Sequence, residues 1–162
     1  MKPFNPKRTI LIHGLEGSSQ GDKAVLLRGI FPEMLTPDFR GDLPERMQAL
    51  LGYLAEGDDW TVIGSSLGGL MAALFSTSHP GRVRKQILLA PALFLPEFAE
   101  RPPAPIDVPT VVYHGRGDTV VPLDETRTLA EKTFLNLEFH EVDDDHRLFN
   151  TTQNLDWKKI VA

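Results

Sequence analysis

The sequence predicts an α/β fold, a three-layer α/β/α sandwich around a mostly parallel sheet of about six strands. Three observations predict it. Short apolar runs recur at Thr9–His13, Trp60–Gly64, Gln86–Ala90 and Thr110–His114, almost without polar interruption. Strands of that kind are buried on both faces, as in parallel sheets covered by helices. Segments of helical period separate them, and strand–helix alternation is the pattern of a doubly covered sheet. Glycines stand at or just beyond the run ends, at Gly14, Gly64 and Gly115. The 162 residues show no repeat and no break in composition. Residues 1–162 are therefore expected to form one domain with a real core.

The elements follow in order. Thr9–His13 reads as the first strand, meeting Gly14. Asp22–Phe31 places Val25, Leu26, Leu27 and Ile30 at helical spacing, and Pro32 stops it. Met34–Phe39 reads as a short strand. Asp42 is the expected N-cap of the next helix, with Pro44 in the first turn and Glu45 three residues on. Met47, Leu50, Leu51 and Leu54 then give that helix its i, i+3, i+4, i+7 stripe. Trp60–Gly64 is a buried strand. Leu67–Ser78 is a helix turning Leu70, Met71, Leu74 and Phe75 inward, ended by Pro80-Gly81. Gln86–Ala90 is a strand ended by Pro91. Ala92–Pro109, with Pro96, Pro102, Pro103 and Pro105, reads as a surface connection holding one short helix. Thr110–His114, Leu123–Thr133 and Leu137–Val142 read as strand, helix and strand, and a final helix closes the chain.

Composition narrows the function classes. The chain is 41% hydrophobic and 24% charged with a net charge of −5, and its Lys and Arg residues are scattered. It lacks the basic face that tracking a phosphate backbone requires, so no nucleic-acid partner is expected. The absence of cysteine removes disulfides, a thiol nucleophile and thiolate metal sites. No His, Asp or Glu pair has a clear ligand spacing, so no metal is expected. Met1–Arg8 is charged and carries two prolines, and Thr9–Ile12 is too short for a signal-peptide core or a membrane span. These features suit a soluble, cytoplasmic protein without a membrane partner. They say nothing of its oligomeric state.

The strongest chemical signal is Gly64-Ser65-Ser66-Leu67-Gly68-Gly69, a G-x-S-x-G pattern between a strand and a helix. A nucleophile on so sharp a turn adopts a strained backbone, and the residues two away must be small for the turn to close. Gly64 and Gly68 meet that need, while Gly69, Ala72 and Ala73 let the helix approach the sheet. At ordinary glycine and serine usage the pattern arises by chance in roughly one in twenty chains of this length. The strand before it and the helix after it remove most of those cases.

Partners are then expected in the order Ser, acid, His. Asp118 follows the Thr110–His114 strand, at the sheet end where sites form in open α/β folds. Taken alone, an Asp beside Gly117 equally suits a turn. His146 follows the last strand within Asp143-Asp144-Asp145-His146-Arg147 and is the one histidine that fits a base. His79 ends a helix, His140 lies in a strand, and His13 and His114 precede glycines whose turns they shape. Asp143, Asp144 and Asp145 stand as rival acids, although adjacency to His146 makes the geometry awkward. The loop His13-Gly14-Leu15-Glu16-Gly17 can aim a backbone N–H at a tetrahedral intermediate. Leu15 is the expected donor, by one residue over Gly14, with Leu67 as the second. Gly14–Lys23 lacks the adjacent Gly-Lys-Ser/Thr of a phosphate loop, and Lys23 falls on the first helix. Leu93, Phe94, Phe98, Leu148 and Phe149 are candidates for an acyl pocket, with core packing the even alternative.

With these residues in place the sequence resembles the α/β-hydrolase superfamily, and within it the small bacterial esterases of the YqiA type. The matching pieces are His13-Gly14-Leu15-Glu16-Gly17-Ser18-Ser19 through Lys23-Ala24, Gly64–Gly69, Gly117-Asp118 and the His146 loop, spread from about Thr9 to Phe149. The resemblance implies nucleophile, acid and base roles for Ser66, Asp118 and His146. It also implies cofactor-free carboxylesterase or thioesterase activity on small, short-acyl substrates. Two departures stand out. The chain begins directly with the oxyanion-loop strand, without the antiparallel opening strands of larger relatives. The stretch Pro91–Pro109 is too short for a lid, which argues for an open site. The competing expectations are an acyltransferase or perhydrolase using the same site, and a ligand-binding protein with an idle triad.

Overall fold

The computed structural model describes all 162 residues. Five strands form one sheet: β1 (Thr9–Ile12), β2 (Trp60–Ser65), β3 (Val83–Leu89), β4 (Thr110–Gly115) and β5 (Leu137–Val142). They lie side by side in chain order and every neighbouring pair is parallel. Seven helices connect or follow them: α1 (Asp22–Ile30), α2 (Leu43–Tyr53), α3 (Leu67–Ser78), α4 (Pro96–Ala99), α5 (Leu123–Thr133), α6 (Phe149–Asn154) and α7 (Trp157–Val161).

Side chains alternate across the pleat of a strand, so each strand feeds two cores. Ile10, Ile12, Val62, Leu88 and Val112 pack on one face with Leu50 of α2, Leu70 and Phe75 of α3, Phe98 of α4 and Ala130 of α5. Leu11, Ile63, Ile87 and Val111 pack on the other with Ala24 and Leu27 of α1 and Trp157 and Val161 of α7. These are the three layers the strand–helix alternation predicts.

The sheet has five strands where about six were expected. The missing one is Met34–Phe39, of which only Leu35 bridges to β1. Its N–H donates to Thr9 C=O at 2.8 Å and its C=O accepts from Leu11 N–H at 2.9 Å. Pro37 then supplies no N–H to continue a ladder, and Asp38 turns aside to accept from the Ser19 backbone and hydroxyl. β3 starts at Val83, three residues before the apolar run, because buried Arg84 takes a strand position and donates to the carbonyls of Lys2, Val161 and Ala162. The last helix is two, broken before Asp156, whose carboxylate caps Lys159 N–H at the start of α7. No helix is long and apolar enough to cross a membrane.

Candidate active site

Ser66 sits between β2 and α3 with φ 55° and ψ −115°. Non-glycine residues held in such a region cost of order 1–3 kcal/mol and persist only where the surroundings over-determine them. Here Ser66 N–H donates to Leu89 C=O at 2.9 Å, and Ser66 C=O accepts from the N–H groups of Gly69, Leu70 and Ala92 at 3.0–3.1 Å. The glycines make the turn sterically feasible. A Cβ on Gly64 would overlap the Gly68 carbonyl, and one on Gly68 would overlap the carbonyls of Ile12 and His13.

The loop after β5 carries His146 back over this turn. Its Nε2 lies 3.0 Å from Ser66 Oγ and its Nδ1 lies 2.8 Å from Asp118 Oδ2. A carboxylate only accepts, so this network assigns the proton to Nδ1 and leaves Nε2 free to accept from the serine. Asp118 is wholly enclosed after β4, its side chain 0% exposed. Its Oδ1 accepts from the N–H groups of Val120 and Val121, both at 2.8 Å. The turn-shaping and His-pairing readings of this aspartate thus coexist, one on each carboxylate oxygen.

The neighbouring aspartates do other work. Asp144 accepts from Thr151 N–H and Oγ and from Asp145 N–H, and Asp145 accepts from Arg147 N–H. Burial pushes the Asp144 carboxyl up, but the hydrogen bonds from Thr151 and Asp145 together hold it below the ordinary aspartate value. These bonds shape the loop around Leu148, whose φ of 52° is left-handed.

His114 does more than its sequence position indicates, and His13 shapes its turn. His114 is fully buried, with Nε2 3.0 Å from Val121 C=O and 3.3 Å from Asp118 Oδ2. It therefore donates beside the same carboxylate that His146 uses. Burial holds its pKa below the usual histidine value, and its Nδ1 has no partner. His13 accepts from Phe39 N–H through Nε2 at 2.8 Å and donates from Nδ1 to Gly14 C=O at 2.7 Å. It fixes the Gly14–Gly17 turn, which closes through Gly17 N–H to Gly14 C=O at 3.1 Å. The Leu15 N–H is not used in closing that turn. The Leu67 N–H is the first of α3 and has no helical turn before it to accept it.

A cavity of about 940 Å³ opens over Ser66 and His146. Leu15, Leu67, Phe94 and Phe149 line it with Ser18 and Lys23, as do Leu95, Val120 and Val121, which the sequence did not single out. Leu93, Phe98 and Leu148 do not. All three are 0% exposed and belong to the two cores. In an apolar stretch without helical or strand period, nothing in the sequence tells the residue facing the cavity from its neighbour facing the core. No three His, Asp or Glu side chains converge as a metal-holding group.

A model of the serine hydrolase (FSH1) family matches residues 37–156, most of the chain. The chain belongs to this serine hydrolase family. The match contains Ser66, Asp118 and His146 and leaves out β1 and the Gly14–Gly17 turn. No curated protein sequence matches the chain. Among solved structures, this FSH1-family hydrolase resembles a protein of the alpha/beta hydrolase superfamily from Xanthomonas campestris, at 26% identity over 90% of each chain with a TM-score of 0.72. It resembles alpha/beta hydrolase domain-containing protein 10 from mouse at 19% identity, over 87% of this chain and 82% of that one, with a TM-score of 0.72. Est1E from Butyrivibrio proteoclasticus is similar at 19% identity, over 95% and 88%, with a TM-score of 0.71. The last two likenesses speak to the fold, which is that of the α/β hydrolases.

Proposed function

We propose that this serine hydrolase cleaves carboxylic ester or thioester bonds of small substrates with short acyl groups, as one catalytic domain, through a Ser66–His146–Asp118 triad. The observation that carries the reading is the unbroken hydrogen-bond chain from Asp118 Oδ2 to His146 Nδ1 and from His146 Nε2 to Ser66 Oγ, at 2.8 and 3.0 Å. Ser66 Oγ attacks the carbonyl carbon while His146 Nε2 takes its proton. Asp118 keeps the imidazole in the accepting tautomer and stabilises its cation. The Leu15 and Leu67 amides donate to the oxyanion, each contributing about 3 kcal/mol by analogy with measured oxyanion holes. His146 then protonates the leaving oxygen or sulfur, and later takes a proton from the water that hydrolyses the acyl-serine. The base must be neutral to act, so activity declines as the medium is acidified.

The short-acyl preference rests on the open mouth. Between β3 and β4 only the four-residue α4 intervenes, and its Phe98 is committed to the core. Nothing there closes over a long chain, and the larger apolar side chains of the lining are Leu15, Leu67, Phe94, Leu95 and Phe149. A p-nitrophenyl ester series from acetate to palmitate tests this, run on wild type and Ser66→Ala. Turnover greatest at two to six carbons and abolished in the variant is expected. A rate that climbs steadily to palmitate would contradict the short-acyl assignment, and turnover that survives in Ser66→Ala would contradict the nucleophile.

A further inference from the structure

The two layers that wall the cavity differ in charge. The layer that carries α3 and α4 supplies Leu67, Phe94, Leu95 and Val121, all apolar and packed with the first core. The layer that carries α1 supplies the charged Asp22 and Lys23 beside the apolar Leu11 and Ala24. Arg147 reaches the same wall from the histidine loop, its guanidinium 3.3 Å from Asp22 Oδ2. Acyl-transfer chemistry fixes where the leaving group lies. The leaving atom must lie at His146 Nε2, because that nitrogen gives it a proton. Arg147, the next residue, and Lys23, whose Nζ donates to Arg147 C=O at 2.7 Å, line the same cavity. A leaving group protonated there lies beside the charged lining formed by Arg147, Lys23 and Asp22.

We infer that Lys23 binds an anionic group on the leaving alcohol or thiol, so that the preferred substrates are esters or thioesters of carboxylate-bearing leaving groups. Lys23 is half-buried, and an ammonium has three donors. One goes to Arg147 C=O, and no other protein acceptor engages the group. The remaining acids of this wall do not satisfy it: Asp22 is engaged by Arg147, Glu16 is exposed at the tip of its turn, and Asp144 and Asp145 hold their own loop. Burial and the adjacent Arg147 guanidinium keep the Lys23 pKa below the ordinary lysine value, against the pull of those acids. A cation with donors open toward a cavity is completed by a carboxylate, which forms charge-assisted hydrogen bonds there.

This inference rests on the esterase reading, and its test keeps the two apart. Two butyrate esters of matched size and similar electron withdrawal serve as probes: 3-carboxyphenyl butyrate, which is anionic, and 3-carbamoylphenyl butyrate, which is neutral. The quantity read is the ratio of their kcat/KM values in wild type, Lys23→Met and Lys23→Arg, so a general loss of rate from the severed Arg147 contact cancels. Wild type is expected to favour the anionic ester by roughly tenfold, the size of one partly screened charge-assisted bond, expressed in KM. Lys23→Met brings the ratio to about one and Lys23→Arg keeps most of it. A wild-type ratio near one, or a preference that survives in Lys23→Met, overturns the assignment while leaving the esterase reading intact. Failure of wild type to turn over either ester removes both.

Discussion

Ser66 carries the clearest conflict between local comfort and use. Its backbone is strained and nothing about its side chain demands that conformation, so the cost is met by the four hydrogen bonds and the glycine contacts around it. Gly68→Ala places a methyl against the carbonyls of Ile12 and His13 and forces β1 and α3 apart. Thermal or urea unfolding should show a loss of about 2–4 kcal/mol, with hydrolase activity falling at least a hundredfold. His114 makes a prediction of a different kind. It is held neutral by burial, so below the ordinary histidine value of 6.5 the unfolded chain binds a proton there that the fold does not. Its contribution is complete above pH 6.5 and is lost as the pH falls from there toward its own lower value in the fold. The urea midpoint of wild type should therefore drop between pH 7.5 and 5.5 more steeply than that of His114→Phe. Equal slopes would show that His114 titrates freely. At this scale the sequence was most legible where chemistry constrains residue type. Ser66, Asp118 and His146 come together in space because each follows a strand end, and strand ends are readable. His114 was read as turn-shaping only, since neither its burial nor its approach to Asp118 has a signature in the chain.

Among the elements, the loop from β5 to α6 is the one on which the site most depends. It holds His146 through its own acids, with Asp144 taking three hydrogen bonds at once. Asp144→Ala should lower stability by about 1–3 kcal/mol and kcat by about tenfold or more, with KM moving little, because it misplaces the base rather than the substrate. Steady-state kinetics on a short p-nitrophenyl ester separates the two parameters. An unchanged kcat would mean that the loop is held by other contacts. The helices Leu67–Ser78 and Leu123–Thr133 and the strand Leu137–Val142 coincide with their sequence-derived bounds, with Pro80-Gly81 marking the end of the first helix and Pro122 the start of the second. The elements misread are those where a polar residue does structural work. Arg84 extends β3 by collecting carbonyls, Asp156 splits the final helix by capping, and Pro37 and Asp38 cut the sixth strand to one bridge at Leu35.

For the molecule as a whole, the near-continuous apolar runs carried the information that mattered. A strand buried on both faces has to be sandwiched, and parallel order in the sheet brings every strand's carboxyl end to one edge. The Ser66 turn, the Asp118 turn, the His146 loop and the Gly14–Gly17 turn all stand at that edge, three of them drawn from β1, β2 and β4 and the fourth from β5. The two layers meet there as well, and the one that carries α1 brings charged side chains to the cavity. The central claim is that Ser66 is a nucleophile activated by His146. A fluorophosphonate probe, followed by intact mass and peptide mapping of wild type and His146→Ala, tests it most directly. One adduct per chain, mapped to Ser66 and formed at least a thousandfold more slowly in the variant, is the predicted result. An adduct on another residue, or equal labelling without His146, would contradict it.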